Sequence, residues 1–202
     1  LSLACGALKA LEAVQRARWE LEAVARPTEE FELRLETPWG TLLFDNGGEN
    51  TQSAHAPFLV VRVYPDNNWS GSIAATAPDR PLSLALVLSD RAAGDRIGED
   101  YGVSLTEPEA ERTAGMVASG ILGCGILYVA GARHTYYKAD RLSLGAGLFG
   151  VGVLVDEGGD DEYLCQTGQG AGTFGVGLLL DADGDDRYTL VEGDGQGYGG
   201  PG

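Results

Sequence analysis

Two short apolar runs, Val153-Leu154-Val155 and Leu178-Leu179-Leu180, each follow a glycine and each end in an acidic, glycine-bearing segment with one aromatic. GVLVDEGGDDEY, from Gly152 to Tyr163, thus returns as GLLLDADGDDRY from Gly177 to Tyr188, a period of 25 residues. Apolar runs this short, closed by Asp and Gly, read as buried strands rather than helices. The polar segments behind them lead to Gly168-Gln169-Gly170 and Gly195-Gln196-Gly197, glycine clusters that suit tight corners. A unit that cannot bury its apolar face alone stacks on its neighbours, so the pattern predicts an all-β fold, a parallel β-helix (β-solenoid) of about 25-residue coils. Equivalent residues then lie about 4.8 Å apart along the axis. In that register Asp156 sits on Asp181 and Tyr163 on Tyr188.

Upstream the same pattern continues in worn form. Thr41 to Asn50 is a decayed copy with Asp45 at the place of Asp156, and Phe58 to Trp69 is a further one with Trp69 at the aromatic place. Leu82 to Leu88 reads as a strand, followed by a longer polar corner from Asp90 to Asp100. Gly125 to Tyr136 aligns place for place with the unit at Gly152: Val129 replaces Asp156, Arg133 and His134 replace Asp160 and Asp161, and Tyr136 takes the place of Tyr163. Thr106 to Arg112 reads as an excursion with a short helix capped by Thr106. Glu29 to Glu36 alternates in a strand-like manner through Phe31, Leu33 and Leu35. At the start, Leu8, Leu11, Val14, Trp19, Leu21 and Val24 recur at three- and four-residue steps, which predicts an amphipathic helix from Leu3 to about Ala25, ended by Pro27. Its expected role is an N-terminal α-helical cap over unpaired strand edges of the terminal coil. Residues 1–37 are therefore assigned to the helix and capping segment and 38–202 to the solenoid, clearest over 125–202.

Composition narrows the partners. A formal net charge of −16 argues against nucleic acid, whose phosphates need clustered Lys and Arg, and against anionic membrane surfaces; cations are the natural counterparts. No apolar run is long enough to span a membrane. The 31 glycines concentrate in the second half, in keeping with many corners. Three cysteines, Cys5, Cys124 and Cys165, fit no zinc spacing. Cys124 and Cys165 read as buried free thiols, with a disulfide between them as the alternative. Leu1 to Gly6 loosely resembles the end of a bacterial lipoprotein signal in which Cys5 would carry the lipid; the plainer reading is a cysteine on a helix.

The corners carry the candidate chemistry. Asp181, Asp183 and Asp185 stand at alternate positions around Gly184, the spacing with which the first half of an EF-hand loop presents oxygens. Stacking adds Asp156, Asp160 and Asp161 from the coil below, and Asp186 completes the set. Crowded carboxylates repel, and a hard cation such as calcium relieves the repulsion; the alternative is a corner of solvated charges. Tyr136, Tyr163 and Tyr188, one coil apart, are expected to stack inside and fix register, with sugar binding by exposed rings as the sharper reading. For catalysis, stacked Asp156 and Asp181 suit a retaining carboxylate pair, and Asp185-Asp186 after a glycine resembles one motif of polygalacturonase-like enzymes, whose other motifs are absent. Arg133 and His134 are the only basic groups at an equivalent corner, and His55 is isolated.

Asp156 to Tyr163 and Asp181 to Tyr188, with the Gln-Gly clusters after them, resemble the GDDxY and QGxG units of uncharacterised exported bacterial repeat proteins. The acidic corner is also similar to the calcium-binding repeats of RTX β-rolls, although those units are nine residues long. What the resemblance implies is an extracellular, calcium-assisted solenoid without a known activity. The sequence therefore points to a noncatalytic secreted or cell-surface structural or interaction module, meeting itself or another surface protein through an open solenoid end. A calcium-dependent carbohydrate-binding module and a polysaccharide-cleaving β-helix enzyme are the two alternatives.

Overall fold

The computed structural model describes residues 2–25, 28–38, 40–46, 52–53, 57–62, 68–76, 84–92, 96–97, 116–131 and 134–200. Pro27, Gly47 to Asn50, His55, much of the Asp90 to Asp100 corner, Thr106 to Arg112 and Arg133 lie outside the described residues. Among the described residues one helix, α1 (Ser2–Glu22), precedes three sheets. The long sheet has the strand order β1 (Glu32–Thr37), β2 (Gly40–Asp45), β4 (Pro57–Arg62), β6 (Leu84–Ala92), β9 (Cys124–Gly131), β12 (Val151–Asp156), β15 (Val176–Asp181). The second joins β3 (Gln52–Ser53), β5 (Asn68–Ser70), β7 (Arg96–Ile97), β10 (Tyr136–Ala139), β13 (Glu162–Cys165) and β16 (Arg187–Leu190), and the third β8 (Gly120–Ile121), β11 (Gly147–Leu148) and β14 (Gly172–Thr173).

Among the described strands every pairing but one is parallel, so the coils cross the sheets in turn and return one rung higher: the chain is a β-solenoid. The expected register is met, with Gly152 on Gly177, Asp156 on Asp181 and Tyr163 on Tyr188. Alternation along β12 separates two layers. Val151, Val153 and Val155 face outward, whereas Leu154 lies in the interior between Leu127 and Leu179. Interior burial of one such leucine contributes about 1.5–3 kcal/mol. The interior is narrow: a β-carbon on Gly152 would lie 2.0 Å from the Ala146 carbonyl oxygen, and one on Gly177 would lie 2.2 Å from that of Ala171. These strand glycines thus serve close approach of the third wall rather than a corner.

Helix α1 is present, but it covers a face and not an end. Ala7 and Val14 are buried, and Leu3, Ala10, Leu11, Ala17 and Leu21 pack with them against Cys124, Ile126, Tyr128 and the outward valines of β12. The stripe runs 3-7-10-14-17-21 with Leu11 at its border, so Val14 and Leu21 are on it and Leu11 beside it, whereas Leu8 and Trp19 are each 67% exposed and Val24 is exposed. Alanines let the helix axis approach the sheet, and a reading weighted toward large side chains turns the stripe too far. The terminal edge is covered instead by β1, which pairs antiparallel with β2 from Glu32 opposite Asp45 to Thr37 opposite Gly40. Cys124 lies under the helix and Cys165 in the solenoid interior; both are free and buried, and Cys5 is exposed.

Candidate metal centre in the interior acidic corner

The long-sheet strands end on residues that turn inward, and their register forms one column along the axis. It reads Asp45, Arg62, Ser89, Val129, Asp156, Asp181. Near its first end the column is charge-balanced. Arg62 donates to Asp45 through Nε to Oδ1 at 2.6 Å and through Nη2 to Oδ2 at 2.9 Å, with the two side chains 0% and 2% exposed. The guanidinium also lies 4.7 Å above the Trp69 ring. At the other end Asp156 and Asp181 adjoin each other, and no Lys or Arg is hydrogen-bonded or ion-paired to either among the described contacts.

A second column is aromatic apart from Ile97: Trp69, Ile97, Tyr137, Tyr163, Tyr188. The three tyrosine rings stack with centroids 4.7 and 4.8 Å apart and planes within 6°. Tyr137, rather than Tyr136, takes the aromatic place, because the corner after Val129 holds one residue more than the corner after Asp156. For the same reason His134 lies beside Asp160 rather than Asp161, its Nδ1–H donating to the Asp160 carbonyl. The Tyr137 hydroxyl donates to Asp156 Oδ2, and the Gly158 N–H donates to Oδ1 at 3.1 Å. The Tyr188 hydroxyl donates to Asp181 Oδ2 at 2.6 Å. Tyr163, between them and fully buried, has a hydroxyl without a hydrogen-bond partner.

The seven candidate aspartates divide between inside and outside. Asp156, Asp161, Asp181 and Asp186 gather inward. Asp161 Oδ1 accepts from the Thr135 N–H at 2.5 Å and Asp186 Oδ1 accepts from the Asp161 N–H at 2.9 Å, so each ties its corner to the coil beneath. Asp161 Oδ2 and Asp181 Oδ1 are buried without a hydrogen-bond partner. One carboxylate oxygen from each of Asp161, Asp181 and Asp186 falls within 4.8 Å of the others. Asp160, Asp183 and Asp185 are exposed on the outer side and, with His134 and Glu157, line a shallow cleft of about 510 Å³. Asp160 Oδ1 accepts there from the Asp185 N–H at 3.0 Å. Glu157 is committed to the helix, accepting from Arg18 Nη2 at 2.7 Å and from the Tyr128 hydroxyl at 2.8 Å.

Burial, and crowding without a counter-charge, raise three of these acids, Asp156, Asp161 and Asp186. Burial first, then the neighbouring carboxylates, push Asp156 up to about 8 against the opposing hydrogen bonds from Tyr137 and Gly158. Burial and the charges of Asp181 and Asp186 push Asp161 up to about 6, and Asp186 is raised, again by burial first. The tyrosine hydroxyls are held protonated by burial beside the same carboxylates.

Arg62 is the residue that the sequence reading passed over. It follows Leu59-Val60-Val61 at the place that Asp45 holds after Leu42-Leu43-Phe44, and aligning the two worn copies marks it as the partner. The glutamine of the corner also has an interior use: Gln169 is buried, and its Nε2 donates to the carbonyls of Tyr163 and Thr189 at 3.2 and 3.0 Å. Comparison with family models, with curated proteins and with solved structures gives no match.

Proposed function

We propose that the chain is a noncatalytic structural and interaction module of the cell exterior, a stack of coils whose outermost described rung takes up a further β-edge. The observation that carries this reading is the outer face of β15. Val176, Leu178 and Leu180 are 49%, 38% and 47% exposed, although they continue the row of Val151, Val153 and Val155 that helix α1 covers one rung below. Apolar side chains beside the free edge of a parallel sheet favour the addition of a further strand. A coil of the same kind, here from a second copy of the chain, matches both the strand spacing and the apolar row. The burial of Asp156 and Asp161 favours a structural use of these acids, since a polysaccharide chain needs its acid pair in an open cleft. The resemblance of the GDDxY units to exported repeat proteins supports the location.

Sedimentation velocity over a concentration series tests the reading. Self-association is expected to strengthen with salt, which screens the net charge of −16, and to vanish in a Val176→Lys, Leu178→Lys variant. A chain that stays monomeric throughout, or that cleaves acidic polysaccharides in an Asp156-dependent manner, overturns it.

A further inference from the structure

We propose that Asp161, Asp181 and Asp186, with the Tyr163 hydroxyl, bind one divalent cation of the size of calcium inside the solenoid, between its last two described rungs. Three features of the chain carry the inference. The first is the column that holds Asp45, Arg62, Asp156 and Asp181. Where it places a carboxylate deep inside near its first end, a guanidinium answers it at 2.6 Å. At the other end the same column and its neighbour bring four aspartates together, and the described contacts supply hydroxyl and amide donors only. Buried carboxylates without a counter-charge are costly, and a metal ion supplies the positive charge that Arg62 supplies below.

The second feature is the direction of the unused oxygens. Asp161 is 1% exposed and spends one oxygen on the Thr135 amide while the other has no partner. Asp181 spends one on Tyr188 and also leaves the other buried and unpartnered. Tyr163 is 0% exposed, and its ring is clamped between Tyr137 and Tyr188, whose hydroxyls reach Asp156 and Asp181. That stacking aims its unpartnered hydroxyl at the same acids. The third is size. Calcium holds oxygens at about 2.3–2.6 Å, so ligands on opposite sides of the ion stand roughly 5 Å apart, whereas magnesium at about 2.0–2.1 Å requires roughly 4 Å. The three carboxylate oxygens lie within 4.8 Å of one another, which leaves room for an ion of calcium's size.

The site differs from the alternating Asp181, Asp183, Asp185 set expected by analogy with a calcium loop. Asp183 and Asp185 point to the outer cleft, and the inner ligands come from two successive coils. The bound ion therefore staples coil to coil. This role stands apart from the choice of partner at the exposed rung.

The test uses terbium, a luminescent substitute for calcium that tyrosines close to the ion sensitise, on the full chain after chelation. Tyrosine-sensitised emission is expected, displaced by calcium and far less by magnesium. Asp161→Asn and Asp186→Asn, which keep an oxygen to accept the Thr135 and Asp161 amides, are expected to weaken calcium binding by more than about tenfold. An outer Asp183→Asn, Asp185→Asn variant is expected to leave it unchanged. In chelator Asp181→Asn is expected to melt higher than the native chain, because one repelling charge is gone, and this readout does not depend on metal. Absence of sensitised emission, binding that survives Asp161→Asn in a folded chain, or loss confined to the outer variant overturns the proposal.

Discussion

Replacing Arg62 with Met takes the guanidinium away from the buried Asp45 carboxylate and so measures what the charge balance of the column is worth. Methionine fills much of the volume of the arginine stem, so the change is mainly electrostatic. It removes two charge-assisted hydrogen bonds, at 2.6 and 2.9 Å, from a pair whose side chains are 0% and 2% exposed. It also removes a cation 4.7 Å above the Trp69 ring. Breaking a buried pair from one side costs about 3–5 kcal/mol, because the remaining charge keeps its desolvation penalty. The contact with Trp69, worth about 0.5–2 kcal/mol, falls within that total rather than beside it. Urea unfolding followed by tryptophan fluorescence and far-UV circular dichroism gives the difference, with the slope as a check on cooperativity. An Asp45→Asn, Arg62→Met variant is expected to recover most of the loss, since neither member of the pair is then charged. A single variant that costs less than about 1 kcal/mol, the level of an exposed pair, or a double variant no more stable than the single, refutes the reasoning.

Gly152→Ala is expected to cost about 1–3 kcal/mol or more through overpacking, since its new methyl would meet the Ala146 carbonyl oxygen at 2.0 Å; a thermal melt within a degree of the native chain would contradict the close approach of the third wall. Thiol titration at neutral pH is expected to find Cys5 reactive and Cys124 and Cys165 silent until the chain unfolds, because both are buried and burial pushes their thiols up to about 11 and about 12. In chelator, stability is expected to fall as pH rises. Asp156 has its folded pKa raised from 3.8 to about 8, so the folded state holds a proton that the unfolded state releases. Its contribution is complete below about pH 4 and disappears as pH passes 8. Urea midpoints that rise across that interval would contradict the buried acid.

The repeat was legible because its period and the places of its aspartates and aromatics survive in the last two coils, where Gly152 to Tyr163 and Gly177 to Tyr188 differ little. From those places came the stacking of Asp156 on Asp181 and of Tyr163 on Tyr188, and both are in the structure. The worn coils were harder. One extra corner residue after Val129 moves Tyr137 into the stack, and place-for-place alignment carries no signal of where an insertion is absorbed.

Taken alone, the sequence determined the path of the chain, because a short apolar run, an acidic corner and a glycine cluster repeated at a fixed period admit few arrangements other than a coil. Tertiary structure decided which side of the wall each residue faces. Strand parity sends Asp156 and Asp181 inward and Val153 and Leu178 outward, while the turn geometry sends Asp161 in and Asp160 out. It also decided that the helix lies on the sheet rather than across its end, since alanines at positions 7, 10 and 17 gain closeness that hydrophobicity alone does not register. The candidate centre belongs to this second kind of information. Its ligands are separated by 20 or more positions along the chain in part, and only the stacking of one coil on the next brings their oxygens within 4.8 Å.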